Sequence, residues 1–155
     1  MTSVLVRLRP ERPTSTVKRK GAKVKDKDAK VDENECSKII IGAAIEVHNE
    51  LGAGLLESAY EAALAIEFTE RRLQFHRQLA LPARYKGVEL GDAYRIDFLV
   101  EDLVIVELKA VTALAPVHSA QVLTYLRLSG KRLGLLFNFH ADSIRNGTCR
   151  IVNQL

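Results

Sequence analysis

The sequence predicts an α+β or mixed α/β sandwich, strands grouped in the middle with helices at both ends, in the order α-α-β-β-β-β-α-β-β. Three observations predict it. Apolar residues recur at helical spacing at the start of the folded part and again after Pro116. They alternate at strand spacing in between. No apolar run approaches the roughly 20 residues of a membrane-spanning helix. With 155 residues, 47% of them hydrophobic and 27% charged, the chain has the composition of a globular protein with one core, which excludes disorder for its bulk.

The first helix is expected over residues 33–51, where Ile39, Ile40, Ala43, Ala44, Val47 and Leu51 keep helical spacing and Gly52 and Gly54 stop the element. A second helix is expected over 56–73, with a stripe of Ala59, Ala63, Ile66 and Leu73 and with Arg71 and Arg72 at the C-terminal end of its dipole. The period then changes to two. Strands are expected over 74–81, 83–86, 93–100 and 103–111, the last two joined through Glu101 and Asp102 as an antiparallel hairpin. Pro116 opens a third helix that runs to Ser129 and stops at Gly130. It reads as a right-handed crossover between strands of one sheet. Strands over 132–139 and 149–152 complete the order.

The net charge of +4 is unevenly placed. Residues 1–30 carry ten basic and three acidic side chains, a net +7; the remainder carries thirteen basic and sixteen acidic, a net −3. Residues 1–32 lack aromatics and any sustained apolar period, so they are expected to form a disordered basic tail ahead of a domain spanning 33–155. Such a tail reads either as a solvated extension or misassigned start, or as an arm for nucleic acid or targeting. Arg7 and Arg9 have no apolar run behind them, so no secretory signal is expected. Cys36 and Cys149 are too few for a disulfide framework and form no close-spaced metal motif; they fit a reducing, cytoplasmic setting.

Polar residues interrupt the most apolar strands. Glu107 and Lys109 are two apart and leave the same face of one strand, while Asp97 on the preceding strand falls nearly opposite Glu107 or its neighbour. Two buried carboxylates repel each other and lose hydration. A hard divalent cation removes that conflict, and a lysine beside it supplies charge for a phosphate or a hydroxide. The competing reading is a structural Glu107–Lys109 ion pair at a sheet edge. On the second helix Glu57, Tyr60 and Glu61 share a face, and Glu57 also suits the helix dipole. On the third, His118, Gln121 and Tyr125 share one polar face that reads equally as solvated. His48, near an apolar stripe, reads as a satisfied boundary histidine rather than a ligand.

The segment from Leu51 through Gly54, Glu57 and Tyr60 to Glu61 resembles the signature of the GxxExxY proteins, as do Asp97-Phe98-Leu99-Val100, Val106-Glu107-Leu108-Lys109-Ala110, the stretch from Gln121 to Leu126 and the stretch from Gly134 to Phe139. The resemblance covers about residues 37–152 and leaves the basic tail out. GxxExxY proteins are similar to the PD-(D/E)XK nuclease superfamily, which implies an α/β (mixed α+β) fold with an α-β-β-β-α-β core, a central mixed sheet flanked by helices. It also implies roles. Asp97 and Glu107 would hold Mg²⁺ (or Mn²⁺) with the Leu108 carbonyl. Lys109 would position the attacking water, Glu57 would add an acid, and Gln121 would orient Lys109 or the water. Tyr60, His118 and Tyr125 would stand at the pocket rim. Ile96 occupies the place of the motif's proline, which is no ligand.

The expected function is therefore Mg²⁺-dependent hydrolysis of a DNA or RNA phosphodiester, with no membrane partner; a double-strand cut would call for a homodimer. The rivals are a non-catalytic nucleic-acid or protein interaction module on the same scaffold and an enzyme acting on a phosphorylated small molecule. The net acidic domain disfavours duplex binding by the domain surface alone.

Overall fold

The structure, a computed structural model, describes residues 30–154; the expected basic tail lies outside the described residues up to position 29. Helix α1 (Glu33–Leu51) begins at Asp32, whose side chain accepts the Glu35 amide at 2.8 Å, and ends at Gly52, φ 68°. Val31 already packs on the core. The buried stripe Cys36, Ile40, Ala43, Ala44 and Val47 faces the sheet. Burial pushes the Cys36 thiol up to about 12, which leaves it a packing group.

Helix α2 (Glu57–Glu70) buries Tyr60, Leu64 and Phe68. This face lies one position away from the expected stripe, and Ile66 is 61% exposed. The aromatic residues decide it. Tyr60 stacks on Phe139 with centroids 4.6 Å apart, and Phe68 meets Phe75 and Phe98 edge-on. The helix also stops three residues earlier than expected, because the chain turns through Arg72 at φ 57°.

Strands β1 (Phe75–Leu81), β4 (Tyr94–Val100), β5 (Val104–Lys109), β6 (Leu133–Asn138) and β7 (Thr148–Val152) form one sheet in the order β1-β4-β5-β6-β7. Only β5 and β6 run parallel. Helix α3 (Pro116–Ser129) makes the crossover that this parallel pair requires. It packs so closely on β6 that a Cβ on Gly134 would sit 2.5 Å from Val122 Cγ1. Helices α1 and α2 cover one face of the sheet and α3 the other. The expected strand over 83–86 is one arm of a small separate hairpin, β2 (Arg84–Tyr85) and β3 (Val88–Glu89), turning at Lys86 and Gly87. A short helix, α4 (Ile144–Gly147), was not expected from the sequence; Ser143 caps it.

The β4–β5 hairpin turns through Glu101 and Asp102, both at positive φ, and pairs Val100 with Val104 and Phe98 with Val106. The strand alternation breaks at one place. Phe98 and Val100 face α1 and α2, yet Ile96, of the same parity, faces α3. Phe75 and Leu79 in β1 show the same switch. The residues between, Gln78 and Asp97, are the pair skipped in the β1–β4 register, and Gln78 adopts φ 53°. Both strands therefore twist over at Gln78 and Asp97, and the Asp97 side chain belongs to neither face.

Candidate active site

The twist sets Asp97 beside the end of β5. The β4–β5 register stops at Phe98 and Val106, and the Leu108 amide is bonded by the Asp97 carboxylate at 2.8 Å. At Leu108 it is thus the amide that meets Asp97. Asp97 Oδ1 accepts from Gln78 Nε2 at 3.2 Å, and the same amide group donates to Glu61 at 2.8 Å. Glu61 also accepts from Arg77 at 2.6 Å. Gln78 in this way ties α2 to β4.

Glu107 lies on β5 with 5% exposure. Its Oε1 is 3.6 Å from Lys109 Nζ, and among the described residues its Oε2 is buried without a hydrogen-bond partner. Burial first, then the charge of Asp97, push the Glu107 carboxyl up to about 8, against the opposing pull of Lys109. Asp97 is raised as well, by burial above all, although the Leu108 amide stabilises its charged form. Glu57, in the first turn of α2, is raised by burial and by the charges of Asp97 and Glu61, while Lys109 and a hydrogen bond from the Ala110 amide oppose the rise.

The end of β5 is held from the other side. Asn138 is buried and bonds the Val111 amide at 3.1 Å and the Val111 carbonyl at 2.9 Å, and the Phe139 amide donates to the Lys109 carbonyl at 2.9 Å. From α3, Tyr125 is buried; its hydroxyl is pushed up to about 12 by burial and by the Glu107 and Asp97 charges, and Gln121 hydrogen-bonds it.

The structure thus gathers Glu57, Asp97, Glu107, Lys109 and Tyr125 at one end of the sheet, and Gln121 joins through the Tyr125 hydroxyl. Two of the residues expected at the rim make local hydrogen bonds. Tyr60 is fully buried, and its hydroxyl donates to the Gly52 carbonyl at 2.6 Å and accepts from the Leu55 amide at 3.1 Å, fixing the loop ahead of α2. His118 Nδ1 accepts the Ala115 amide at 2.9 Å and so closes the start of α3. His48 bonds the Ala141 carbonyl at 2.9 Å, as a boundary histidine would. Sequence reasoning passed over Gln78. Its only signal was a run of three consecutive polar residues, His76-Arg77-Gln78, in a strand of period two.

Among the described residues no group of three or more His, Cys, Asp or Glu side chains makes a ready metal cage. The donor set suits instead a hard cation that keeps most of its waters. It offers two adjacent carboxylates, one of them with an orphaned oxygen, and their raised pKa values mark anions short of positive charge.

A five-stranded mixed sheet between helical layers, with acids and one amine gathered at the end of its central hairpin, defines a nuclease-like α/β protein. The sequence model of the PD-(D/E)XK nuclease superfamily matches residues 34–151, and the chain belongs to that superfamily. No curated protein and no solved structure matches it. Nucleases of the superfamily generally use divalent metals, and the family implies a nucleic-acid substrate. Among the described residues no helix is long and apolar enough to cross a membrane.

Proposed function

We propose that the chain is a GxxExxY-type nuclease that hydrolyses nucleic-acid phosphodiesters with Mg²⁺ or Mn²⁺. The observation that carries this reading is the buried Glu107 carboxylate with its unpartnered oxygen, next to Asp97 and 3.6 Å from Lys109. A Glu107–Lys109 ion pair accounts for Oε1 but not for a second acid beside it, nor for a buried Oε2 without a partner among the described residues. Asp97 and Glu107 would hold the cation, with Glu57 as a further acid and the Leu108 carbonyl within the same turn of chain. A bound divalent ion supplies Lewis-acid polarisation of the phosphate and an acidified water. Lys109 presents its ammonium to the phosphate oxygens and positions the attacking water. Gln121 acts through Tyr125, fixing the hydroxyl that faces the two acids.

Cleavage of DNA and RNA oligonucleotides in Mg²⁺ or Mn²⁺, with EDTA as control, tests the reading. Asp97→Asn, Glu107→Gln and Lys109→Ala are each expected to lower the rate by at least about a hundredfold. Cleavage that survives all three substitutions would exclude this site. Nucleic-acid affinity without metal binding in a calorimetric titration would make the protein a non-catalytic binding module.

A further inference from the structure

The chain has four tyrosines and no tryptophan. Tyr60 and Tyr125 are buried, while Tyr85 is 62% and Tyr94 37% exposed. Both exposed tyrosines fall at one end of the sheet, and the register says which. Leu81 pairs with Tyr94 at the end of β1 and β4, so the β2–β3 hairpin, inserted between them, emerges from that end. Asp97 lies only three residues along β4 from Tyr94, about 10 Å of strand. Tyr94 also packs edge-on against Tyr125, centroids 5.6 Å apart, and Tyr125 is the residue whose hydroxyl feels Glu107 and Asp97. Two rings in contact, Tyr125 and Tyr94, thus lead outward from the acids.

The hairpin itself is unusual for a solvated turn. Val88 is 66% and Leu90 59% exposed beside Tyr85, and the Leu90 amide extends the ladder to the Ala83 carbonyl at 2.9 Å. Arg84 is paired with Glu89 at 2.8 Å, and Lys86 Nζ lies 5.4 Å from the centre of the Tyr85 ring. The hairpin therefore offers apolar and aromatic faces with an ammonium next to the ring. A duplex presents phosphates outward and hides its bases. The domain is net acidic, and of the cations on this segment Arg84 is tied to Glu89, leaving Lys86 and Arg95, too few for the many phosphates of a duplex. An unpaired strand exposes base faces, which stack on aromatic side chains without regard to sequence, and needs only scattered phosphate contacts.

We propose that Tyr85 on the β2–β3 hairpin and Tyr94 at its base form a stacking platform for unpaired bases, so that the strand taken into this site is single-stranded nucleic acid. The inference rests on the nuclease reading for the site but not on its chemistry, since binding is measured without metal. Lys86 meets the phosphate flanking the base on Tyr85. The basic segment ahead of residue 31 adds sequence-independent attraction for single and double strands alike.

The test uses the full chain in EDTA with single-stranded oligonucleotides carrying 2-aminopurine, whose fluorescence is quenched on stacking, and with the matching duplex. Wild type is expected to quench the probe and to prefer the single strand. Tyr85→Ala is expected to weaken single-strand affinity about tenfold and to remove the quenching, as loss of one stacked base would. Tyr85→Trp is expected to keep both. Tyr94→Ala, checked for folding by its thermal melt because of the Tyr125 contact, adds a second loss. Duplex bound as tightly as single strand, or Tyr85→Ala and Tyr94→Ala bound like wild type, would overturn the platform. Wild type that binds neither nucleic acid would also overturn it and would point to a protein partner for the apolar rim. Intact binding and quenching with no cleavage in Mg²⁺ or Mn²⁺ would instead sink the nuclease reading and leave the platform standing.

Discussion

Replacing Glu107 by glutamine in the metal-free protein should flatten part of its pH–stability profile. The Glu107 carboxyl is buried and raised from 4.5 to about 8. Below about pH 4.5 it is protonated in both folded and unfolded chains and costs nothing. From there to about pH 8 the unfolded chain loses the proton while the folded one retains it, so folding stability falls by about 1.4 kcal/mol per pH unit. Above pH 8 the penalty is constant. At pH 7 the span from 4.5 amounts to about 3 kcal/mol, a large share of the stability of a small domain. Glu107→Gln keeps the shape and removes the titration. The repulsion between Glu107 and Asp97 is lost with it, which changes stability in the same direction. The new amide leaves a donor unpaired, a pH-independent cost of about 1–3 kcal/mol. The informative quantity is therefore the difference between the two curves. Urea melts of both proteins in EDTA from pH 5 to pH 8.5 should show wild type losing about 3 kcal/mol or more relative to the variant. Adding Mg²⁺ at pH 7.5 should restore stability to wild type and leave the variant little changed, because a ligand of the folded state stabilises by mass action. Parallel curves in EDTA would refute the claim that this carboxylate is buried at an electrostatic cost.

Two further substitutions probe the frame around the acids. Gln78 combines a left-handed backbone with hydrogen bonds to Glu61 and Asp97; Gln78→Ala should lose about 1–2 kcal/mol in urea unfolding, and Gln78→Gly should be more stable than Gln78→Ala by about 1 kcal/mol, since glycine removes the backbone strain. Equal stability of the two would argue against the twist at this position. Gly134→Ala places a methyl 2.5 Å from the branched Val122 side chain, which has little freedom to move away, and should cost about 1–3 kcal/mol by the same measurement.

Much of this fold is written at short range. The α1 boundaries follow from an N-capping aspartate, an apolar stripe and Gly52, and those of α3 from Pro116 and Gly130. Other features depend on partners far along the chain. The buried face of α2 is set by Phe139 against Tyr60 and by Phe75 and Phe98 against Phe68, and a helical wheel of α2 holds none of those residues. The same division runs through the site. Asp97, Glu107 and Lys109 announce themselves as polar residues in apolar strands. Gln78 does not, because its part comes from a backbone twist that β1 and β4 make jointly. Tyr60, in the stretch that resembles the GxxExxY signature, fixes the loop ahead of α2, since a buried hydroxyl must find hydrogen bonds and the Gly52 carbonyl and Leu55 amide lie within reach.

The break in strand alternation also explains why acids can gather here. In a regular antiparallel pair the Leu108 amide would face a backbone carbonyl, and Asp97 would project to one side of the sheet. Turning β1 and β4 over at Gln78 and Asp97 frees that amide, and a carboxylate takes the carbonyl's place. One negative charge thereby enters the plane of the sheet next to Glu107, where the opposing positive charge is that of Lys109, 3.6 Å from Glu107. The strained Gln78 backbone and the elevated carboxyl pKa values are then two costs of a single arrangement. Such costs persist where the surrounding structure over-determines them, as the Gln78, Asn138 and Tyr125 contacts do here. A fold without such a site would be more stable with an apolar residue in place of Glu107, and that electrostatic cost is what the proposed cation would offset.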